Sequence, residues 1–227
     1  MDSISIIVPV LNEATALPSC LQALQPLRRQ DCELLVVDGG STDASVTIAH
    51  ALADRVLQTP AGRAVQMNAG ARAARGDILW FLHGDSLPPP DAAVLIRAAL
   101  AKSNRYWGRF DARLSGNRPL LRIVETLMNR RSCLTGIATG DQGIFVRCWA
   151  FAQVGGYPAI PLMEDIALSR ALKRLSRPIC LQQRLLTSSR RWEQQGIWKT
   201  IFLMWRLRLA YFLGADPARL ARIYYGG

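Results

Sequence analysis

Three observations predict an α/β protein built on a mostly parallel central sheet flanked by helices. The first hundred residues alternate short apolar runs with stretches of helical spacing, an order that lays strands side by side with crossover helices between them. Three of those runs (residues 6–10, 34–37 and 78–82) are unbroken by polar side chains, as strands covered on both faces are. Each run also ends in polar residues: Leu11-Asn12-Glu13, Asp38-Gly39-Gly40-Ser41-Thr42-Asp43, and His83-Gly84-Asp85-Ser86. Open α/β sheets bind ligands at the carboxyl ends of their strands, so acids placed there point to chemistry rather than packing.

The elements follow in order. Residues 14–24 carry helical spacing in Leu17, Leu21 and Leu24, and Pro18 is admissible because it falls in the opening turn. Thr42-Asp43 opens a second helix through Val46, Ile48 and Ala49 to Ala53, and residues 55–58 form a short third strand. Residues 64–74 are helical and rich in small side chains, ending before Gly76, and residues 77–82 are the fourth strand. Pro88-Pro89-Pro90 breaks the chain, after which Asp91 caps a helix to Lys102. Residues 106–114 alternate as an edge or antiparallel strand would. Helices are predicted over 120–131, 162–175, 197–213 and 217–224, with strands over 142–146 and 178–186.

The 227 residues are half apolar and one fifth charged, a globular composition that excludes a disordered chain. The formal net charge of +11 suits a polyanion, an anionic membrane face, or solubility alone. The arginines are scattered, with no basic tail and no basic–aromatic repeat, which argues against nucleic acid. Five cysteines, widely spaced and without a C-x-x-C pair, read as reduced thiols in a cytosolic protein, with neither a zinc site nor a disulfide framework. The chain opens directly into a strand with no basic leader, and no apolar run approaches the ~20 residues that span a bilayer. The expected setting is the cytoplasm, with the inner face of a membrane as an accessory contact.

Val8-Pro9-Val10-Leu11-Asn12-Glu13, Val36-Val37 with the Asp38 loop, the acid of His83–Ser86, and Glu164-Asp165 occur in the order seen in family-2 glycosyltransferases. Over roughly residues 4 to 192 the chain resembles that family, closest to a bacterial subset with an H-x-D motif. The resemblance implies the GT-A (Rossmann-like) fold and inverting transfer of a sugar from a nucleotide-diphosphate donor, most often a UDP-sugar, to an acceptor hydroxyl. It implies a GT-A domain over 1–192, with a nucleotide half to about 102 and an acceptor half over 103–192. A C-terminal helical extension covers 193–227.

By the same match, Asp38 receives the base, a carboxylate being an acceptor only. Pro9 and Glu13 contact base and ribose; a first-turn acid on a helix dipole is the plain alternative for Glu13. Asp85 matches the last acid of the D-x-D motif that holds Mg²⁺ or Mn²⁺ against the diphosphate. His83 stands where the first acid would be and suits phosphate, a sugar hydroxyl, Mn²⁺, or no ligand at all. Arg63 and Asn68 are expected to face the donor from a helix N-terminus, against the alternative of a surface arginine on an amphipathic helix. Gly140-Asp141-Gln142-Gly143 resembles the acceptor-side loop. Glu164-Asp165 resembles the family's Glu-Asp pair, with Asp165 as catalytic base; any first helical turn favours acids too. Arg191-Trp192 is what remains of a Q-x-x-R-W motif, Ser188 replacing its Gln, and would stabilise the departing diphosphate or form a cation–π stack.

The helix over 197–213 is apolar around most of its surface. It suits packing against the domain or a second copy, or a peripheral membrane helix with Trp198, Trp205 and Tyr211 at the headgroups. The latter would fit a lipid-linked or lipophilic acceptor. Two other function classes stay open: a nucleotidyltransferase of sugar phosphates and a non-catalytic membrane-docking module. The first half lacks a glycine-rich, lysine-bearing loop after its first strand, which counts against the former.

Overall fold

A computed structural model describes residues 1–226, except for the side chain of Arg191. Seven strands form one sheet in the order β3-β2-β1-β4-β6-β5-β7. These are β1 (Ile4–Val10), β2 (Cys32–Asp38), β3 (Arg55–Gln58), β4 (Ile78–Phe81), β5 (Trp107–Leu114), β6 (Phe145–Arg147) and β7 (Ile179–Thr187). Strands β1 to β4 pair in parallel, as does β5 with β7; β6 runs antiparallel to both its neighbours.

Both faces are covered, which is why the strands read as continuous apolar runs. Side chains alternate across a strand, so Ile4, Ile6 and Val8 of β1 pack on one side and Ile7 on the other. The first side is closed by α1 (Leu17–Arg28), α2 (Ser45–Leu52) and α4 (Ala92–Ala101), through Leu17, Leu21, Ala49 and Ile96. On the second side, α3 (Arg63–Ala73) contributes Ala64 and Met67, α6 (Cys148–Gln153) Phe151, and α7 (Glu164–Leu172) Leu168. α5 (Pro119–Thr135), α8 (Arg190–Gln195), α9 (Ile197–Phe212) and α10 (Pro217–Tyr225) complete the chain. Because β2 and β4 flank β1 on opposite sides, their crossovers diverge, and the loops after β1 and β4 border the crevice where such sheets hold ligands.

The sheet and its surroundings depart from expectation in part. The 107–114 strand runs antiparallel to β6, as one of its two readings had it, but it is not an edge: it lies inside the sheet, parallel to β7, which is the edge. The strand expected from 142 begins at Phe145, since Gly140–Gln142 is a 3₁₀ turn. The short helices α6 and α8 carry too few turns to show a period, and the pattern does not announce them. The reading of every cysteine as a free thiol fails as well. Cys133 of α5 and Cys180 of β7, 47 residues apart, are disulfide-bonded, while Cys20, Cys32 and Cys148 are free. α5 and β7 both flank β5, a proximity that spacing cannot reveal, and the pairing removes the thiol argument for a reducing compartment.

The C-terminal helices pack on the domain. Leu207 of α9 and Leu220 and Ala221 of α10 bury Leu162 and Met163, just before α7, and Ile197 packs against Leu121 and Val124 of α5. α8 straddles residues 192 and 193, where the extension was expected to begin. No helix among the described residues is long and apolar enough to cross a membrane.

Candidate active site

A cleft of about 250 Å³ opens at the carboxyl ends of β1 and β4. Glu13, Arg63, His83, Asp85, Asp141, Glu164, Asp165, Arg190, Trp192 and Arg208 line it, with Thr200 and Met204 of α9 and Tyr224 of α10 forming one wall. Acids and cations from seven separate segments therefore meet in one polar hollow, although most are far apart in sequence.

The loops after β1 and β2 are held together by side chains. Asn12 and Glu13 donate their backbone N–H groups to the Ser41 and Ser45 hydroxyls, at 2.9 Å each. Asp43 accepts from the Ala14 N–H at 3.0 Å, and Asn12 Oδ1 from the Thr42 N–H at 2.8 Å. Asn12 sits at φ 55°, a left-handed conformation that Asn tolerates better than most residues. From below, the buried Gln66 carboxamide donates at 2.8 Å to the carbonyls of both Val10 and Val37, tying the ends of β1 and β2. Its side chain lies against Gly39, where any Cβ would crowd it. Sequence reasoning misses Gln66, because a glutamine inside an amphipathic helix carries no signal of burial.

Asp38 does not line the cleft. It is only 1 % exposed, and its carboxylate accepts from the backbone N–H groups of Gly40 at 2.9 Å and Ser41 at 3.1 Å. The acid therefore shapes its own loop here. Pro9 lies within β1, paired with Val37, and is likewise absent from the lining. Asn68 faces elsewhere: its carboxamide donates to the Tyr157 carbonyl at 2.8 Å and accepts from the Tyr157 N–H at 3.0 Å. This doubly committed amide holds the Gly156 turn, and Asn68 is absent from the cleft lining.

On the opposite wall, Met163 takes a left-handed conformation, φ 71°, directly before Glu164-Asp165. Strain of this kind in a non-glycine residue is held only where surrounding packing fixes it, and it turns the first residues of α7 into the cleft. Asp165 Oδ2 accepts from the Gly140 N–H at 3.0 Å, while Oδ1 accepts from the Ile166 N–H at 2.7 Å. Glu164 is 6 % exposed. Burial first, and the neighbouring Asp165 charge second, push its carboxyl up to about 7 against the opposing pull of Arg63. Beneath the pair, burial and the same two acids raise the Tyr157 phenol well above its ordinary range.

His83 Nδ1 lies 3.3 Å from Asp141 Oδ1, and its Nε2 packs against Gly140 so closely that a side chain at Gly140 would collide with it. His83 thus props the 140–142 turn. Gln142 anchors the turn from beneath, donating to Asn129 Oδ1 at 3.2 Å and accepting from the Thr139 N–H at 3.2 Å. Among the described residues no three His, Cys, Asp or Glu side chains gather as a ready metal site. The donors present still fit a divalent cation that arrives with phosphate: Mg²⁺ is commonly held by one or two carboxylates plus substrate oxygens, and Asp85 and Asp141 both line the cleft.

The cations are only partly those the motifs indicate. Arg190 reaches Glu13 Oε2 at 3.3 Å across the cleft mouth. Trp192 lines the cleft as expected, whereas the Arg191 side chain, expected beside it, lies outside the described residues. Arg208 of α9 faces the acids from the far side; burial lowers its basicity, while Asp165 and Asp141 oppose that drop. Arg131 of α5 stands near it, its guanidinium lowered to about 10 by burial and by the Arg208 charge, with Asp165 again opposing. No motif marks either arginine.

The cleft thus lies at the switch point of a Rossmann-like sheet, with acids facing arginines across it. Residues 5–154 match glycosyl transferase family 2, and the chain belongs to that family, with a GT-A fold. It is similar to the PGL/p-HBAD biosynthesis glycosyltransferase of Mycobacterium tuberculosis, 32 % identical over 166 residues, covering 67 % of this chain and 62 % of that one. It is also similar to the undecaprenyl-phosphate 4-deoxy-4-formamido-L-arabinose transferase of Pseudomonas fluorescens, 30 % identical over 159 residues, covering 64 % of this chain and 46 % of the relative. The matched region is thus under two thirds of either relative's length. Among solved structures, glucosyl-3-phosphoglycerate synthase from M. tuberculosis, in complex with Mn²⁺, UDP and glucosyl-3-phosphoglycerate, superposes with a TM-score of 0.61. That likeness is one of fold, at 22 % identity, covering 82 % of this chain and 71 % of the other.

Proposed function

We propose that the protein is an inverting glycosyltransferase that moves a sugar from a UDP-sugar to a hydroxyl of a lipid-linked or lipophilic acceptor. The observation that carries this reading is the convergence of Asp85 and the Glu164-Asp165 pair on one cleft that also holds Arg63, Arg190 and Arg208. The UDP and Mn²⁺ complex of the structural relative supports the donor and the metal, and the undecaprenyl-phosphate transferase supports the acceptor class.

In this reading Asp165 takes the proton of the acceptor hydroxyl. Its orientation follows from the two backbone N–H groups it accepts, which leave lone pairs facing the cleft. The acceptor oxygen bonds to the anomeric carbon from the face opposite the diphosphate, whose bond to that carbon breaks, so the configuration inverts. Arg63, Arg190 and Arg208 balance the negative charge that builds on the departing nucleotide. A divalent metal, held by Asp85 with Asp141 beside it, would supply further charge compensation there when bound. Glu164, half-protonated near neutrality, limits the negative charge crowded next to Asp165. Because the Asp38 carboxylate is taken up by its own loop, recognition of uracil falls to groups that the loop presents, with Glu13 beside the ribose.

Asp165→Asn keeps the shape and removes the base. Transfer is expected to fall by at least about 10²-fold, while binding of UDP-sugar with Mn²⁺, read by thermal shift, is retained. Wild-type turnover in this variant refutes the assignment, and release of pyrophosphate in place of UDP would point to nucleotidyl transfer.

A further inference from the structure

Among the described residues, the outer face of α9 has no partner in the fold. At about 100° per residue, Trp198, Phe202, Trp205, Leu209, Phe212 and Leu213 fall within an arc of roughly 100°, each between 61 and 75 % exposed. The opposite face is the one that packs, through the buried Thr200 and Leu207. Six large side chains of this kind, at roughly 150–250 Å² for each aromatic, leave several hundred Å² of apolar surface, on the scale of the ~300–600 Å² patches that often mark functional surfaces on a monomer. Lys199 and Arg206 lie along one border of the stripe. They line a groove of about 310 Å³ between α9 and α10, together with Phe202, Leu203 and Ile223. Residues 197–225 hold five cations, Lys199, Arg206, Arg208, Arg219 and Arg222, against one acid, Asp216.

We infer that this face docks the protein on an anionic bilayer, with the aromatic stripe seated at the headgroup level and Lys199 and Arg206 taking lipid phosphates in the groove. Charge complementarity selects this occupant: a second copy meeting the stripe would bring more cations and no acid, since none lies between Glu193 and Asp216. An interfacial helix needs just such a composition, Trp, Phe and Leu on one face and Lys or Arg at its border. The inner side of the same helix lines the catalytic cleft through Thr200, Met204 and Arg208, and Tyr224 touches both hollows. Docking along α9 therefore sets the cleft at the lipid surface.

The inference goes beyond sugar transfer and is measured without a donor. Full-length protein is floated with vesicles of phosphatidylcholine alone or with added phosphatidylglycerol, while tryptophan emission reports insertion. Binding to the anionic vesicles is expected to exceed that to neutral ones by on the order of thirty-fold, as two cations near the surface give, with a blue shift. Lys199→Gln/Arg206→Gln should remove the preference. Trp198→Ala/Trp205→Ala, at two exposed positions outside the cleft, should lose binding and blue shift with an unchanged circular dichroism spectrum. Equal binding to both vesicles, no binding to either, or a concentration-dependent dimer that the tryptophan variant dissolves would each overturn the inference. UDP-sugar binding in lipid-free buffer is a separate readout, so docking and the catalytic reading fail independently.

Discussion

Glu164→Gln gives a prediction whose sign follows from burial. A carboxyl raised from 4.5 to about 7 binds its proton more tightly in the folded protein than in the unfolded chain. Between those values the native state carries more protons, so stability is greatest at the acid end and falls as pH rises through about 7. At about 1.4 kcal/mol per pKa unit, the full shift is worth about 3 kcal/mol, an upper bound because glutamine also gives up the attraction of Arg63. A glutamine side chain does not ionise, so the variant escapes this loss. Thermal unfolding of both proteins from pH 5 to 8 is the assay. The variant should gain on the wild type as pH rises, by up to roughly 6–12 °C in Tm at pH 8 for a chain of this size, and the two should converge near pH 5. A variant that is relatively less stable at pH 8 than at pH 5 would mean that ionised Glu164 is a net stabilising partner of Arg63, and the reasoning would fail.

Three further outcomes are expected. Asp85→Ala should abolish the Mn²⁺-dependent part of UDP-sugar stabilisation in a thermal-shift titration, leaving the melting temperature without ligand within about 2 °C of wild type; an unchanged metal response would remove Asp85 from the site. Gly140→Ala should cost about 1–3 kcal/mol by overpacking against His83, and activity should fall further than stability because the Gly140 N–H orients Asp165; trimming the obstacle in Gly140→Ala/His83→Ala should recover part of the stability. Asn68→Ala should lower stability by about 2 kcal/mol through the loss of two hydrogen bonds to Tyr157, with donor affinity unchanged, as urea unfolding and calorimetry would show.

The sheet was legible because its strands are covered on both sides: apolar runs such as Leu34–Val37 leave no other placement, and their polar ends mark the crevice. The Glu164-Asp165 pair, Asp85, His83, Glu13, Arg63 and Trp192 all reach the cleft from positions read in the sequence. What escaped depends on orientation and on distance along the chain. Asp38 sits at the right strand end, yet its side chain turns back onto Gly40 and Ser41, a choice made by two backbone N–H groups that no pattern displays. Asn68 lies on the expected helix but outside the cleft lining, bonded to the Tyr157 backbone 89 residues away, a partner that no local pattern displays. Arg208 lies outside every motif and enters the site only because α9 folds back over the domain, as Leu207 and Leu220 packing on Leu162 and Met163 requires. The Cys133–Cys180 bond has the same origin, in two elements that meet at β5.

The most direct test follows the anomeric carbon itself. Proton NMR of the sugar first released or transferred from an α-linked UDP-sugar, before mutarotation, reads its configuration. Single displacement at the cleft yields the β-anomer and requires Asp165, with the Asp165→Asn variant silent on the same timescale. An α-linked product, or a β-product formed equally well by Asp165→Asn, would contradict the account.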